Sequence, residues 1–189
     1  PVGPYFPEGF HGINLKITKE YTRAAPGGTG DAKTICNYAG TMKPAKQVKE
    51  EGYAQVIYLD AVHREYIEEV GTANFFAVIE GKLITPPTKG TILEGITRKS
   101  IITLGREKLE MEVEERDISY KELFKDSCTE AFCSGTAAVV TPIASVAFGD
   151  QKVIYNEGKP GDITSEIYHT LTGIQRLEVK DEFNWISIV

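Results

Sequence analysis

The sequence has little of what marks a membrane, secreted or nucleic-acid-binding protein. No apolar run approaches the roughly 20 residues of a membrane-spanning helix, and no signal-peptide pattern opens the chain. The 21 lysines and arginines are outnumbered by 27 acidic residues. The resulting net charge of −6 disfavours nucleic acids and anionic membranes as partners.

Cysteine and histidine are also scarce, with three of each. The cysteines form neither a Cys-x-x-Cys pair nor an even disulfide set, which favours a reducing cytoplasm. We expect Cys36 and Cys133 to be core residues. The histidines are scattered and make no metal-ligand spacing, so no metal site is predicted.

What is present is ordinary globular composition, 41% hydrophobic and 25% charged, over 189 residues. This length predicts one domain with a buried core. Alternating or short apolar segments predict strands at 14–18, 56–59, 66–69, 74–79, 83–85, 111–116, 130–133, 138–140, 146–148 and 153–155. Helices are predicted at 33–49, 95–109 and 120–126, the last with a capping box of Ser119 and Glu122. Thr164 is predicted to cap a final helix that still includes Leu177. The mixture of strands and helices along the chain favours an α/β or α+β fold.

The segment Pro26–Lys33 carries three glycines within four positions, directly before a lysine. Such spacing predicts backbone with unusual φ or a close approach to another group. One alternative is the phosphate loop of a nucleotide-binding module. The segment lacks the Gly-x-x-x-x-Gly-Lys-Ser/Thr spacing of that loop, because Ala32 stands where its second glycine would be.

Further motifs follow in a fixed order along the chain. They are Glu69-Val70-Gly71-Thr72, Thr85-Pro86-Pro87, Leu93-Glu94-Gly95-Ile96-Thr97 and Ser134-Gly135-Thr136-Ala137. Together with the loop before Lys33, they make the chain resemble the branched-chain amino acid aminotransferases, pyridoxal phosphate (PLP) enzymes of fold type IV. The resemblance runs from Pro1 to about Ile174, and it implies a large domain of mixed sheets, a pseudo-barrel and flanking helices.

The resemblance also implies a division of the chain. Residues 1–12 are expected to be a linker from a smaller N-terminal domain that is missing here, and residues 13–189 the PLP-binding large domain. The chain begins with Pro1 rather than Met, and we interpret it as a fragment that is poorly active alone. Family members are homodimers or higher homo-oligomers, so a second copy and the small domain are expected partners.

Lys33 is the catalytic residue that the resemblance implies. Its amine would form a Schiff base with the cofactor and shuttle a proton, which requires partial desolvation or a nearby positive charge. Glu69 would keep the ring nitrogen protonated, whereas Glu68 would point to the opposite face of the strand. Without the family, both glutamates could be solvated strand-end charges. Tyr38 would bond the ring hydroxyl oxygen, although an ordinary core tyrosine is the alternative.

The remaining assignments concern the phosphate and the substrate. A helix N-terminus with free amides suits a phosphate, and the resemblance assigns the phosphate to Leu93, Ile96, Thr97, Thr136 and Arg23. It assigns the amino acid substrate to Thr72 and Ala137.

The function implied is ping-pong transfer of the amino group of leucine, isoleucine or valine to 2-oxoglutarate in the cytoplasm. Two alternatives share the fold, a D-amino acid aminotransferase and an aminodeoxychorismate lyase. A non-catalytic interaction domain is the third, and it would leave the combination of Lys33, Glu69 and Thr136 unexplained.

Overall fold

The computed structural model describes residues 10–137 and 139–187. Most of the expected linker at 1–12, and Ala138 at the start of a predicted strand, therefore lie outside the described residues. Within the described part, none of the helices is long and apolar enough to cross a membrane.

The described residues form one sheet that closes on itself. Its strands are β1 (Ile13–Thr18), β2 (Gln55–Leu59), β3 (Ile67–Val70), β4 (Ala73–Ile79), β5 (Lys82–Thr85), β6 (Val113–Glu115), β7 (Cys128–Gly135), β8 (Val139–Phe148) and β9 (Gln151–Ile154). The order β3-β2-β1-β8-β7-β4 becomes a ring because β3 pairs with both β2 and β4. Strands β5 and β6 extend from β4, and β9 pairs with β8. The ring is the predicted pseudo-barrel.

Two apolar layers explain why β4 is buried along its whole length. Phe75 and Ala77 face a core that also contains Leu15 and Ile57, whereas Phe76 and Val78 face a second core. Successive residues of a strand point to opposite faces, so both faces of β4 are covered.

The second core lies under two helices, α3 (Ile96–Glu107) and α4 (Asp162–Gln175). Ile101 and Leu104 of α3 and Ile167 and Leu171 of α4 contribute to it. Burying each of these side chains contributes roughly 1.5–3 kcal/mol, and together they fix the position of the α3 N-terminus against the sheet.

The helix predicted at 33–49 is wrong as one element, because the chain forms α1 (Ile35–Ala39) and α2 (Met42–Glu50). Thr41 separates them: both its N–H and its hydroxyl donate to the carbonyl of Tyr38, at 3.1 and 2.7 Å. Pro44 is tolerated because it lies in the first turn of α2. The division leaves Lys33 in the loop before α1.

Two further helix predictions need correction. The capping box of Ser119 and Glu122 is confirmed, but it opens a 3-10 turn at Tyr120–Phe124. The final helix begins at Asp162, two residues before Thr164, and ends before Leu177, which is 64% exposed. Thr164 does not act as its cap, because its N–H and hydroxyl both donate to the buried carboxylate of Glu130.

Two strands expected at 138–140 and 146–148 are one strand, β8, which continues through Pro142. Its first part pairs with β7 and its second part with β1 and β9, so the change of partner sustains a ten-residue strand. Strand β7 is also longer than expected and ends at Gly135. The turn between β7 and β8 therefore begins at Thr136.

Candidate active site

The glycine-rich loop packs closely against a second loop. A side chain at Gly30 would lie 2.5 Å from the carbonyl oxygen of Thr91, so only glycine fits. Gly27 has a φ of +78°, a conformation that glycine adopts without strain. Both features agree with the sequence prediction of unusual φ or close approach. The close approach at Gly30 brings the loop before Lys33 against the segment before α3.

Asn37 fixes the shape of the same loop. Its buried side-chain amide donates to the carbonyls of Thr29 and Ala32, both at 2.7 Å, and accepts from the Thr29 hydroxyl at 2.9 Å. Lys33 follows Ala32 and is exposed, so partial desolvation, the first of the two conditions expected for its amine, is not met in this chain.

Cys36 is also exposed, so the prediction of a core cysteine there is wrong. It is the second residue of α1, where its thiol contacts the hydroxyls of Thr29 and Thr34. Cys133, in β7, is buried as expected.

A cavity of about 240 Å³ brings together five of the ten predicted site residues, whereas Arg23, Glu69, Leu93, Ile96 and Thr97 are not part of its lining. Its lining consists of Lys33, Tyr38, Thr72, Ala73, Gly135, Thr136 and Ala137. These residues come from the glycine loop, α1, the β3–β4 turn and the β7–β8 turn. The volume is a little below the roughly 300–1,000 Å³ of pockets for drug-sized ligands, which suits a small molecule.

Glu69 lies on β3, next to the turn that contributes Thr72, and its side chain is only 4% exposed. One oxygen, Oε2, is 2.5 Å from Nε of Arg23. The other, Oε1, accepts a hydrogen bond from the side-chain amide of Asn74 at 3.0 Å. The alternative of a solvated strand-end charge is therefore wrong.

Burial is the main cause of the unusual proton affinity of this carboxyl. It raises the pKa of Glu69 to about 8, and the charge of Arg23 acts in the opposite direction. The adjacent Glu68 is buried as well, and burial raises its pKa. The two acids thus share a strand and a degree of burial but point to opposite faces.

The N-terminus of α3 is tied to Glu69 through Asn74. The Asn74 amide that donates to Glu69 also donates to the carbonyl of Leu93 at 2.8 Å. Gly95 precedes the helix, and no side chain caps it; the first turn, which the structure describes in full, carries no acidic residue. The amides of Ile96 and Thr97 at such an end lack helical partners, an arrangement suited to an anion.

The buried guanidinium of Arg98 anchors this helix. Its Nη2 donates to the carbonyl of Pro86 at 2.8 Å and to Glu115 Oε2 at 2.9 Å. The Ile96 side chain is 77% exposed and lines a neighbouring cavity with Trp185 rather than the cavity beside Lys33. A role for Ile96 would therefore use its backbone.

Arg23 and Asn74 are the residues whose surroundings the sequence did not reveal. Arg23 was expected on the phosphate side, and its contacts in the structure are with Glu69, Gly30 and Thr91. Asn74 has one signal that could have been used: it is a lone amide in the otherwise apolar strand β4. A polar group buried in such a strand needs partners.

Residues 3–146 match the sequence profile of the family described as amino-transferase class IV. The chain belongs to the class IV aminotransferases. This family and the sequence relatives confirm the predicted resemblance, and the solved structures confirm the predicted fold.

This class IV aminotransferase chain has curated relatives among the branched-chain enzymes. It is 47% identical over 185 residues to the branched-chain amino acid aminotransferase 2, chloroplastic, of Humulus lupulus, covering 98% of this chain and 45% of the relative. It is 42% identical over 193 residues to the branched-chain-amino-acid aminotransferase 2 of Bacillus subtilis (strain 168), covering 100% and 53%. The chain thus spans about half the length of these relatives.

Solved structures agree with the sequence relatives. The crystal structure of the Escherichia coli branched-chain amino acid aminotransferase superimposes with a TM-score of 0.87 at 34% identity, covering 100% of this chain and 60% of that one. The Thermobaculum terrenum branched-chain amino acid aminotransferase, in its PLP-form (holo-form), gives a TM-score of 0.84 at 30% identity, with coverages of 95% and 56%.

Proposed function

We propose that this chain is the PLP-binding part of a branched-chain amino acid aminotransferase that transfers the amino group of leucine, isoleucine or valine to 2-oxoglutarate by a ping-pong mechanism. The observation that carries the proposal is the single cavity lined by Lys33, Tyr38, Thr72 and Thr136, with the buried carboxyl of Glu69 beside the β3–β4 turn.

Three groups of the candidate site fit PLP by their chemistry. The primary amine of Lys33, in the cavity, suits the aldehyde, and the buried carboxyl of Glu69, on the strand before the turn that contributes Thr72, suits the ring nitrogen. The N-terminus of α3, tied to Glu69 through Asn74 and without an acidic first turn, suits the phosphate. When bound, PLP supplies a ring that withdraws electrons from the α-carbon of an amino acid.

Lys33 is the proton carrier in this proposal. Its exposed amine is free to bond the cofactor and to take and return the proton at the substrate α-carbon. The buried carboxylate of Glu69, paired with Arg23, would keep the ring nitrogen protonated by its negative charge. The half-buried Tyr38 donates its hydroxyl to the ring oxygen.

The phosphate and the substrate carboxylate would be bound mainly by the backbone. Ile96 and Thr97 contribute amides at the start of α3, Leu93 orients that segment, and Thr136 contributes its hydroxyl. The Ala137 amide, in the exposed β7–β8 turn, receives the substrate carboxylate. Thr72 lies across the same cavity, at the β3–β4 turn, beside the substrate.

The proposal extends to the whole protein. Residues 1–12 are a linker, residues 13–189 the cofactor-binding domain, and a smaller domain of the same protein completes the pocket. The full protein is a cytoplasmic homodimer or higher homo-oligomer. Water exclusion by the smaller domain would protect the reacting α-carbon, so the 189-residue segment alone should turn over substrate poorly.

Lys33→Ala in the full-length protein tests the function. Transamination of L-leucine with 2-oxoglutarate should fall by several orders of magnitude, because the amine and its proton transfer are lost together. The visible absorption band of bound PLP should change as well, whereas thermal stability should not, because Lys33 is exposed. Lys46→Ala, at another exposed lysine, is the matched control.

More than about a tenth of wild-type turnover in Lys33→Ala would contradict the assignment. Wild-type activity with D-amino acids but not with L-leucine would replace it by the D-amino acid aminotransferase alternative.

A further inference from the structure

One guanidinium joins three segments that carry residues of the candidate site. Nε of Arg23 lies 2.5 Å from Glu69 Oε2 on β3. Its Nη2 donates to the carbonyl of Gly30 at 3.0 Å and to the carbonyl of Thr91 at 2.6 Å. Gly30 stands three residues before Lys33, and Thr91 two residues before Leu93.

These contacts are shielded from solvent. The side chain of Arg23 is only 5% exposed, so its charge is poorly screened by solvent. Its two carbonyl acceptors belong to the loops that pack together at Gly30. The guanidinium therefore sets how far the loop before Lys33 can move from Glu69.

The positive charge of Arg23 acts on three buried acidic groups. Glu69 faces Arg23 directly, Glu68 neighbours it on β3, and Tyr58 is paired with Glu69 on β2. Burial raises the pKa of all three groups, and Arg23 lowers each of them. Asn74, on β4, contributes a neutral donor.

We propose that Arg23 is a positioning residue that stabilises the carboxylate form of Glu69 and holds Glu69 in register with the loop that carries Lys33. This role rests on the proposed function, which assigns Glu69 to the ring nitrogen. The sequence resemblance places Arg23 on the phosphate side, whereas the positioning role rests on its contacts with Glu69, Gly30 and Thr91.

The test is made on the full-length protein without cofactor. Carboxyl ¹³C NMR of glutamate-labelled protein follows the titration of Glu69, and Glu69→Gln identifies its signal. In Arg23→Met, the midpoint should rise by about 1–3 pH units, as loss of a neighbouring opposite charge requires. Amide hydrogen exchange at 30–32, where the N–H of Ala32 donates to the carbonyl of Thr29, should become at least about tenfold faster, because the loop opens more readily once the carbonyl of Gly30 loses its donor.

Two variants separate this role from general destabilisation. Arg98→Met removes another buried arginine that contacts Glu115, so it should leave the Glu69 midpoint unchanged. Arg23→Lys retains the charge but cannot span three partners, so the midpoint should move by less than about one pH unit while exchange at 30–32 still accelerates.

A folded Arg23→Met with the wild-type midpoint would overturn the proposal. If that variant does not fold, Arg23→Lys decides, and wild-type exchange rates at 30–32 would overturn it. Both readouts are made without cofactor or turnover. Failure of the Lys33→Ala prediction would therefore end the proposed function while leaving the effect of Arg23 on Glu69 measurable.

Discussion

The candidate site has two parts that the chain holds in different ways. The cavity rim consists of Lys33, Thr72, Thr136 and Ala137, all exposed and all on loops or turns. The buried cluster consists of Arg23, Glu69 and Asn74, which contact one another in the interior. The rim presents reactive groups, whereas the cluster fixes charge and spacing.

The difference in burial separates the effects that substitutions should have. An exposed side chain contributes little to stability, so a change on the rim should affect chemistry alone. A buried polar group that loses its partner costs the free energy of its desolvation, so a change in the cluster should affect stability as well.

Glu69→Gln should give the largest effect within the cluster. A neutral amide cannot hold the ring-nitrogen proton by charge, so the half-reaction with L-leucine should slow by roughly 10²–10³-fold, the usual cost of losing one electrostatic contact of this kind. PLP affinity should fall only modestly. Stopped-flow absorbance of the bound cofactor measures the rate.

Glu68→Gln is the matched control, because Glu68 is similarly buried on the same strand. Its side chain points to the other face, so the half-reaction should change little. Equal losses from both variants would disprove the assignment by strand face.

The buried cluster should also make stability fall as pH rises. Burial raises the pKa of Glu69 to about 8 in the folded chain, above its ordinary value. The folded state therefore binds the proton more tightly, and the stabilisation is complete below the unfolded pKa and lost as pH rises through about 8. One such proton gives a slope of up to about 1.4 kcal/mol per pH unit.

Urea unfolding of the protein without cofactor, between pH 5 and about 8, measures this slope. Glu69→Gln should flatten it, leaving the contribution of Glu68, whose pKa is raised in the same direction. A rim variant such as Thr136→Ala should retain the wild-type slope. An unchanged slope in Glu69→Gln would mean that the carboxyl does not titrate in this range.

The rim residues, and Glu69 and Arg23 of the cluster, were named from the sequence, but the contacts within the cluster were not. The family resemblance named Lys33 and Thr136 because each motif that carries it lies within a few consecutive residues. Arg23 and Glu69 are far apart in sequence, and their contact exists only because the glycine loop folds back onto the segment before α3. No local pattern contains that information.

The same limit explains the errors in secondary structure. Apolar periodicity identified most strands, but it could not foresee that β8 continues through Pro142 by changing partners. It also missed the break at Thr41, where a hydroxyl competes for a helical carbonyl. The exposure of Lys33 and Cys36 depends on which segments pack over the glycine loop and α1, which is likewise a property of tertiary structure.

Asn74→Ala should give the smallest effect of these predictions, and it sharpens the contrast most directly because it removes no charge. The variant leaves Glu69 Oε1 and the Leu93 carbonyl without their shared donor in a buried site. Such a loss costs roughly 1–3 kcal/mol. It should appear as a lower urea midpoint with an unchanged m-value, since the folded state stays compact.

Thr136→Ala, on the rim, should stay within about 0.5 kcal/mol of wild type. The donor also holds the segment before α3, so phosphate affinity of the cofactor-free protein should weaken together with stability. If Asn74→Ala matched Thr136→Ala in stability, the bridge from Glu69 to α3 would be dispensable, and the division between a reactive rim and a structural cluster would have to be redrawn.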